Sequence, residues 1–166
     1  MKKLIGIVIS IMFLIIFIGF FWIKTLVSSD PLEIVYSYED RWGISMPLPN
    51  KVTELWTEPF AARGDGTWVK CLDFTNQNTS FTQYMIKVTE TNQKEARQYV
   101  SKFISNSINS YSEDYKVKIQ NVFQDININV DIGDYYYYNS KNRGEDYFIC
   151  LYKVNEQVVY TFEWHQ

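Results

Sequence analysis

From Leu4 to Ile23 the chain carries no charge, and no other feature limits its options so severely. As a helix rising about 1.5 Å per residue, the run spans roughly 30 Å, the thickness of a bilayer's hydrocarbon core. A helix apolar on every face has no side to show water, so a place in a soluble core fits it poorly. A secretory signal has a shorter apolar stretch, about 7–15 residues, and a small-x-small cleavage site. Here the nearest such pattern is the weak Val27-Ser28-Ser29, and no cysteine near residue 25 could take a lipid. Lys2 and Lys3 precede the run. Residues 24–48 set Lys24 and Arg41 against Asp30, Glu33, Glu39 and Asp40. The charge bias puts the N-terminus in the cytoplasm. The expectation is an uncleaved anchor over residues 1–27, crossing the membrane through residues 4–23, with residues 28–166 as one extracytoplasmic domain.

Removing Lys2, Lys3 and Lys24 from the 16 basic residues leaves 13 against 19 acids, a net charge of −6 for that domain. Such a balance argues against nucleic acid as a partner and against a second, electrostatic grip on anionic lipid. The chain has 13 Tyr, 11 Phe and 5 Trp, most of them beyond the anchor. That content suits a sheet-rich core, and it can also furnish a partner-binding surface.

Asp30-Pro31-Leu32-Glu33 reads as a helix start, with Pro31 at the first helical position. Leu32, Val35, Tyr38 and Trp42 then share one side, and Gly43 serves as the left-handed stop. Strands are expected over 51–57, 67–75 and 81–89, the last from its alternation. Asn92 with Glu95 has the form of a capping box. Ala96, Tyr99, Val100, Phe103, Ile104, Ser107, Ile108 and Tyr111 then recur at three and four, an amphipathic helix of about 18 residues. Gln93, Lys94, Arg97, Gln98, Lys102 and Asn106 fall on its wet side. From Tyr115 the period looks like two, so Val117, Ile119, Ile126, Ile128, Val130 and Ile132 read as strand. Tyr135–Tyr138, 146–153 and 158–165 complete the set. The fold class expected is α+β, an antiparallel sheet packed on one long helix.

Few residues can carry chemistry. Asp125-x-Asn127-x-Asn129-x-Asp131 resembles the start of a calcium loop, but Val130 and Tyr136 stand where that loop needs Gly and Glu. His165 is the only histidine. A two-residue turn at 155–156 pairs Cys150 with Thr161, Phe148 with Glu163, and Asp146 with His165. Cys150 and His165 are then roughly 13 Å apart, at about 3.3 Å per residue, which rules out a thiolate dyad. No catalytic set, cofactor or metal site emerges. Cys71 and Cys150 are both expected on the sheet face that lacks the helix, where they can either form a disulfide or remain separate thiols. A bridge would contribute about 4–5 kcal/mol in the chain-entropy model. Phe60 to Trp68 (FAARGDGTW) is the best binding loop, with Gly64 and Gly66 allowing close approach. Asn78-Thr79-Ser80 is a formal glycosylation acceptor.

These features favour a membrane-tethered binding protein of interaction or immunity type. It would meet a protein partner through the sheet's free face: Arg63, Asp65 and Trp68 with Asp73, Thr161 and Glu163. The alternatives are an envelope enzyme using Asp65, Asp73 or Glu163 on a glycan or lipid-linked substrate, and an accessory subunit of a membrane complex. No pair of carboxylates has the spacing that glycoside chemistry requires.

Overall fold

The computed structural model describes residues 30–58, 65–126 and 128–166, and the expected anchor lies outside them. Among the described residues no helix is long and apolar enough to cross a membrane. Residues 31–166 form one compact unit.

Helix α1 covers Pro31–Trp42, starting at the proline as the sequence suggests. Proline's fixed φ suits a first helical position, where its missing N–H costs no hydrogen bond. Gly43 ends the helix at φ +74° and donates to the Glu39 carbonyl at 3.0 Å. The buried stripe is Ile34, Val35, Tyr38 and Trp42, whereas Leu32, expected among them, is exposed.

Six antiparallel strands follow: β1 (Lys51–Thr57), β2 (Gly66–Asp73), β3 (Ile86–Lys87), β4 (Tyr135–Lys141), β5 (Asp146–Lys153) and β6 (Val158–His165). Their order in the sheet is β1-β2-β6-β5-β4-β3. The last hairpin has the expected register, with Cys150 facing Thr161 and Phe148 facing Glu163. The strand expected at 81–89 shrinks to Ile86–Lys87, preceded by a 3₁₀ turn at Ser80–Tyr84 that buries Phe81. Phe81 packs there on Phe74 and Tyr152.

Helix α2 spans Gln93–Ser110 and buries Ala96, Val100, Phe103 and Ser107. The expected capping box does not form. The Asn92 side chain instead accepts from Thr89 N and donates to the Lys87 carbonyl, and Glu95 accepts from Tyr99. The next segment corrects the sequence reading. Residues expected to begin a strand at Tyr115 form helix α3, Glu113–Asp125. The alternation of Val117 and Ile119 with lysines is misleading, because Val117 is 57 % exposed while Ile119 is fully buried. The repeat that governs is Tyr115, Ile119 and Phe123, at every fourth residue.

Residues 128–134 also form no strand. They are held from three sides. Gly133 N and Val88 N make backbone bonds with Val88 and Asp134, and Gln93 and Arg97 donate to the Val130 carbonyl. From β5, the buried Lys153 ammonium reaches Asp134 at 2.6 Å and Asp131 at 2.7 Å. Burial works against its charge, but the hydrogen bonds of the two carboxylates prevail and raise its pKa. Breaking such a buried pair from one side costs about 3–5 kcal/mol, so the turn into β4 is fixed by chemistry that no local pattern announces.

The sheet is covered on both faces. Val69, Tyr147, Ile149, Leu151, Tyr160 and Phe162 pack with α2 and α3. Leu72, Phe74, Phe148, Cys150, Tyr152 and Val159 pack with α1 and Phe81. Among the described residues the single long helix of the sequence reading is therefore one of three, and the face expected to be free lies under α1.

Candidate functional site

With both faces covered, an open concavity of the described residues lies at one end of the sheet. Glu58, Asp65 and Thr67 come to it from β1 and β2, Ser110 and Tyr111 from the end of α2, and Trp164 and His165 from β6. They line a cleft of about 490 Å³, within the range of small-ligand pockets. Gly66 lets the hairpin close around it. Its φ is +145°, and a Cβ there would sit 2.6 Å from Glu58 Cγ and 2.7 Å from Glu58 Cβ, so only glycine leaves the glutamate in place.

A directed chain of hydrogen bonds runs along one wall. The Trp56 indole N–H donates to Thr67 Oγ1 at 3.1 Å and to the Tyr111 hydroxyl oxygen at 3.3 Å. Tyr111 gives its own proton to Glu58 Oε2, which leaves the Thr67 hydroxyl to donate to Tyr111. Burial, followed by the bond to Glu58, pushes the Tyr111 phenol up to about 12. The tyrosine thus holds its proton and fixes the carboxylate.

His165 forms the other side, its ring 5.5 Å from Trp42 and 5.4 Å from Trp68. Asp146 Oδ1 lies 3.7 Å from its Nδ1 and Glu163 Oε2 lies 3.5 Å from its Nε2. The anticipated Asp146 pairing is there at ion-pair range. Both separations exceed a good hydrogen bond, and the buried Nε2 has no hydrogen-bond partner among the described residues.

The six residues singled out from the sequence do not meet in one place. Asp65 lies exposed on the cleft and Trp68 packs against His165 behind it. Arg63 lies outside the described residues. Asp73 closes the opposite end of β2, roughly 25 Å from Asp65 at about 3.3 Å per residue. Hydrogen bonds from the Thr75 side chain and backbone hold the Asp73 carboxyl below its usual range. Thr161 and Glu163 are buried, and Thr161 shares a 2.8 Å hydrogen bond with Tyr38 of α1.

The two cysteines are free thiols on opposite faces, and the expected meeting on one face does not occur. Cys71 stands opposite Tyr160, and Cys150 opposite Thr161, the next residue along β6. Burial pushes the Cys71 thiol up to about 11 and that of Cys150 higher still. Neither is poised as a nucleophile, because the thiolate is the reactive form. Among the described residues, no three His, Cys, Asp or Glu side chains converge as a metal would require.

Glu58, Thr67, Ser110, Tyr111 and Trp164 were not singled out as site residues. Tyr111 completes the apolar stripe of α2 and Glu58 stands next to Pro59, so both look structural until the fold joins them across 53 positions. Comparison with protein-family models, with curated proteins and with solved structures finds no match.

Proposed function

We propose that this is a membrane-tethered extracytoplasmic binding protein whose contact site is the cleft at the end of the sheet. The observation that carries this reading is the hydrogen-bond chain from Trp56 and Thr67 through Tyr111 to Glu58. Its donors are committed to one another and its phenol is raised to about 12. Such a chain moves no proton near neutral pH. It presents a fixed carboxylate beside aromatic walls, an arrangement suited to recognition. The apolar run over residues 4–23 supplies the tether, and the lysines before it support the orientation.

The location is tested on the full chain in a bacterial envelope. It should remain in the membrane pellet through an alkaline carbonate wash and lose its domain to external protease. A mature chain in the soluble fraction overturns the tether. For the site, cross-linking in that envelope compares wild type, Ser110→Trp and Val117→Arg. Ser110→Trp fills the cleft from an exposed helix end, and Val117→Arg alters the exposed side of α3. Loss of the cross-linked partner with the first alone supports the cleft. Equal recovery by all three removes it from consideration. The enzyme alternative predicts turnover abolished by one carboxylate change with partner recovery intact.

A further inference from the structure

We propose that His165 is a pH-sensitive latch: its protonation tightens the seal that α1 makes on the sheet, whatever the cleft receives. His165 is the single histidine of the chain, and an imidazole changes charge near pH 6.5. Its ring stands between carboxylates of two strands. Asp146 Oδ1 of β5 lies 3.7 Å from Nδ1, and Glu163 Oε2 of its own strand lies 3.5 Å from Nε2. A neutral imidazole has one N–H, so whichever nitrogen carries it, the other brings a lone pair up to a carboxylate oxygen. Only the imidazolium offers an N–H to both. Each separation is within about 1 Å of a charge-assisted hydrogen bond. The mismatch of the neutral ring is sharpest at Nε2, which is buried without a hydrogen-bond partner among the described residues. Glu163, which faces it, is itself buried. A buried carboxylate is costly until a cation reaches it, and protonated His165 supplies one.

Among the described residues, α1 meets the ring with Trp42 and β2 with Trp68, both uncharged. Glu58 and Asp65 line the cleft that His165 borders. From β4 comes an ammonium, Lys141, which stands opposite Asp146 and lies 5.3 Å from the centre of the Trp42 ring. Its charge opposes an imidazolium, against two carboxylates already at ion-pair range. α1 feels the change through Trp42, which is buried between Phe148 and His165. Asp146 and Glu163 drawn onto the ring fix the ends of β5 and β6 beneath that indole. A fold that favours the imidazolium is stabilised in full below about pH 6.5 and loses that stabilisation as pH rises above it. Cys150 reports on the seal, because it is fully buried in the cluster that α1 covers.

The test labels Cys150 with a dithiodipyridine at pH 5.5 and pH 8, in the full chain in detergent carrying Cys71→Ser. Each native rate is divided by the rate in denaturant at the same pH, which removes the pH dependence of the reagent and of the thiol. Protection at pH 5.5 should exceed that at pH 8 by about tenfold, the margin of one charge-assisted hydrogen bond. At both pH values it should fall short of the protection set by global unfolding, since α1 opens locally. His165→Gln should erase the difference between the two pH values, and Asp146→Asn should reduce it several-fold. Equal protection at both pH values, greater protection at pH 8, or a difference that survives in His165→Gln overturns the latch. Where His165→Gln does not fold, Asp146→Asn decides, and an undiminished difference overturns it. Protection equal to that of global unfolding at both pH values rejects α1 as the part that moves.

Discussion

The sheet face under α2 and α3 and the face under α1 are both buried, but they are sealed by different means. β6 shows the contrast within one strand. Towards α2 and α3 it presents Val158, Tyr160, Phe162 and Trp164. Towards α1 it presents Val159, Thr161, Glu163 and His165, of which Thr161 bonds Tyr38 and His165 lies against Trp42. The first face is closed by apolar area from helices whose periodicity matches it. The second is closed by a short helix that brings its own polar groups to meet those of the strand. A polar residue on a strand therefore marks a wet face only if nothing downstream or upstream in the chain can satisfy it.

The largest effect should come from the apolar side. Phe103 is fully buried among Phe123, Tyr147 and Phe162. Phe103→Asp buries a charge without a partner and should cost about 4 kcal/mol or more, enough to unfold a domain of ordinary stability. Lys102→Asp, one residue away on the exposed side, should change stability by less than about 1 kcal/mol in the same denaturant titration. Equal effects would mean that the two sides of α2 are interchanged.

Next comes the seal of the second face. Trp42 is 1 % exposed, stacked on Phe148 at 5.5 Å and 13°. Trp42→Ala should cost about 3–5 kcal/mol by transfer and cavity terms. A cost under about 1 kcal/mol would reduce α1 to a detachable lid and reopen the sheet face beneath it. Tyr38→Phe sharpens the same point. It strips Thr161 of its hydroxyl partner in a dry place, and should cost about 1–3 kcal/mol.

The comparison also explains what could be read in advance. The last hairpin was legible to the residue, because an apolar-polar alternation and a short turn leave one register open. α1 and α2 were legible from Pro31, Gly43 and the three-four repeat. α3 was not, since a short segment with Val117 and Ile119 between lysines fits both periods, and only burial against α2 decides between them. The site was least legible. Asp65 came from its glycine flanks, but Glu58, Thr67 and Tyr111 meet through contacts distant in sequence, and no spacing encodes them. Thr161 and Glu163 were taken for a surface because the cover supplied by α1 is a tertiary fact.

Smaller in energy is the titration of the cleft wall. An ordinary tyrosine loses its proton near pH 10, whereas Tyr111 is held up to about 12. Its folded-state pKa exceeds the unfolded one, so its contribution is complete below about pH 10 and is lost as pH rises through about 12. Tyr111→Phe should delete one late phenolate from the ultraviolet titration of the native chain, and should leave that of the unfolded chain without a late component. A Tyr111 that ionises with the ordinary tyrosines would dissolve the bond to Glu58 on which the cleft depends.

The smallest effect concerns the cysteines, and it bears most directly on the two faces. Adjacent residues of β6 point to opposite sides of the sheet, so Cys71 opposite Tyr160 and Cys150 opposite Thr161 are divided by the sheet itself. A disulfide could form only if β2 slipped by one residue against β6, which would also turn Val69 out of the core and Trp68 into it. With the thiol of Cys71 pushed up to about 11 and Cys150 fully buried, the native chain should react with a thiol reagent at pH 8 far more slowly than a free cysteine does. In denaturant, without reductant, two thiols should appear per chain. Finding none would show the bridge and overturn the register of β2. One fast thiol in the native chain, removed by Cys71→Ser, would keep the register and show that Cys71 lies in a wetter setting than its neighbours Val69 and Tyr160 provide.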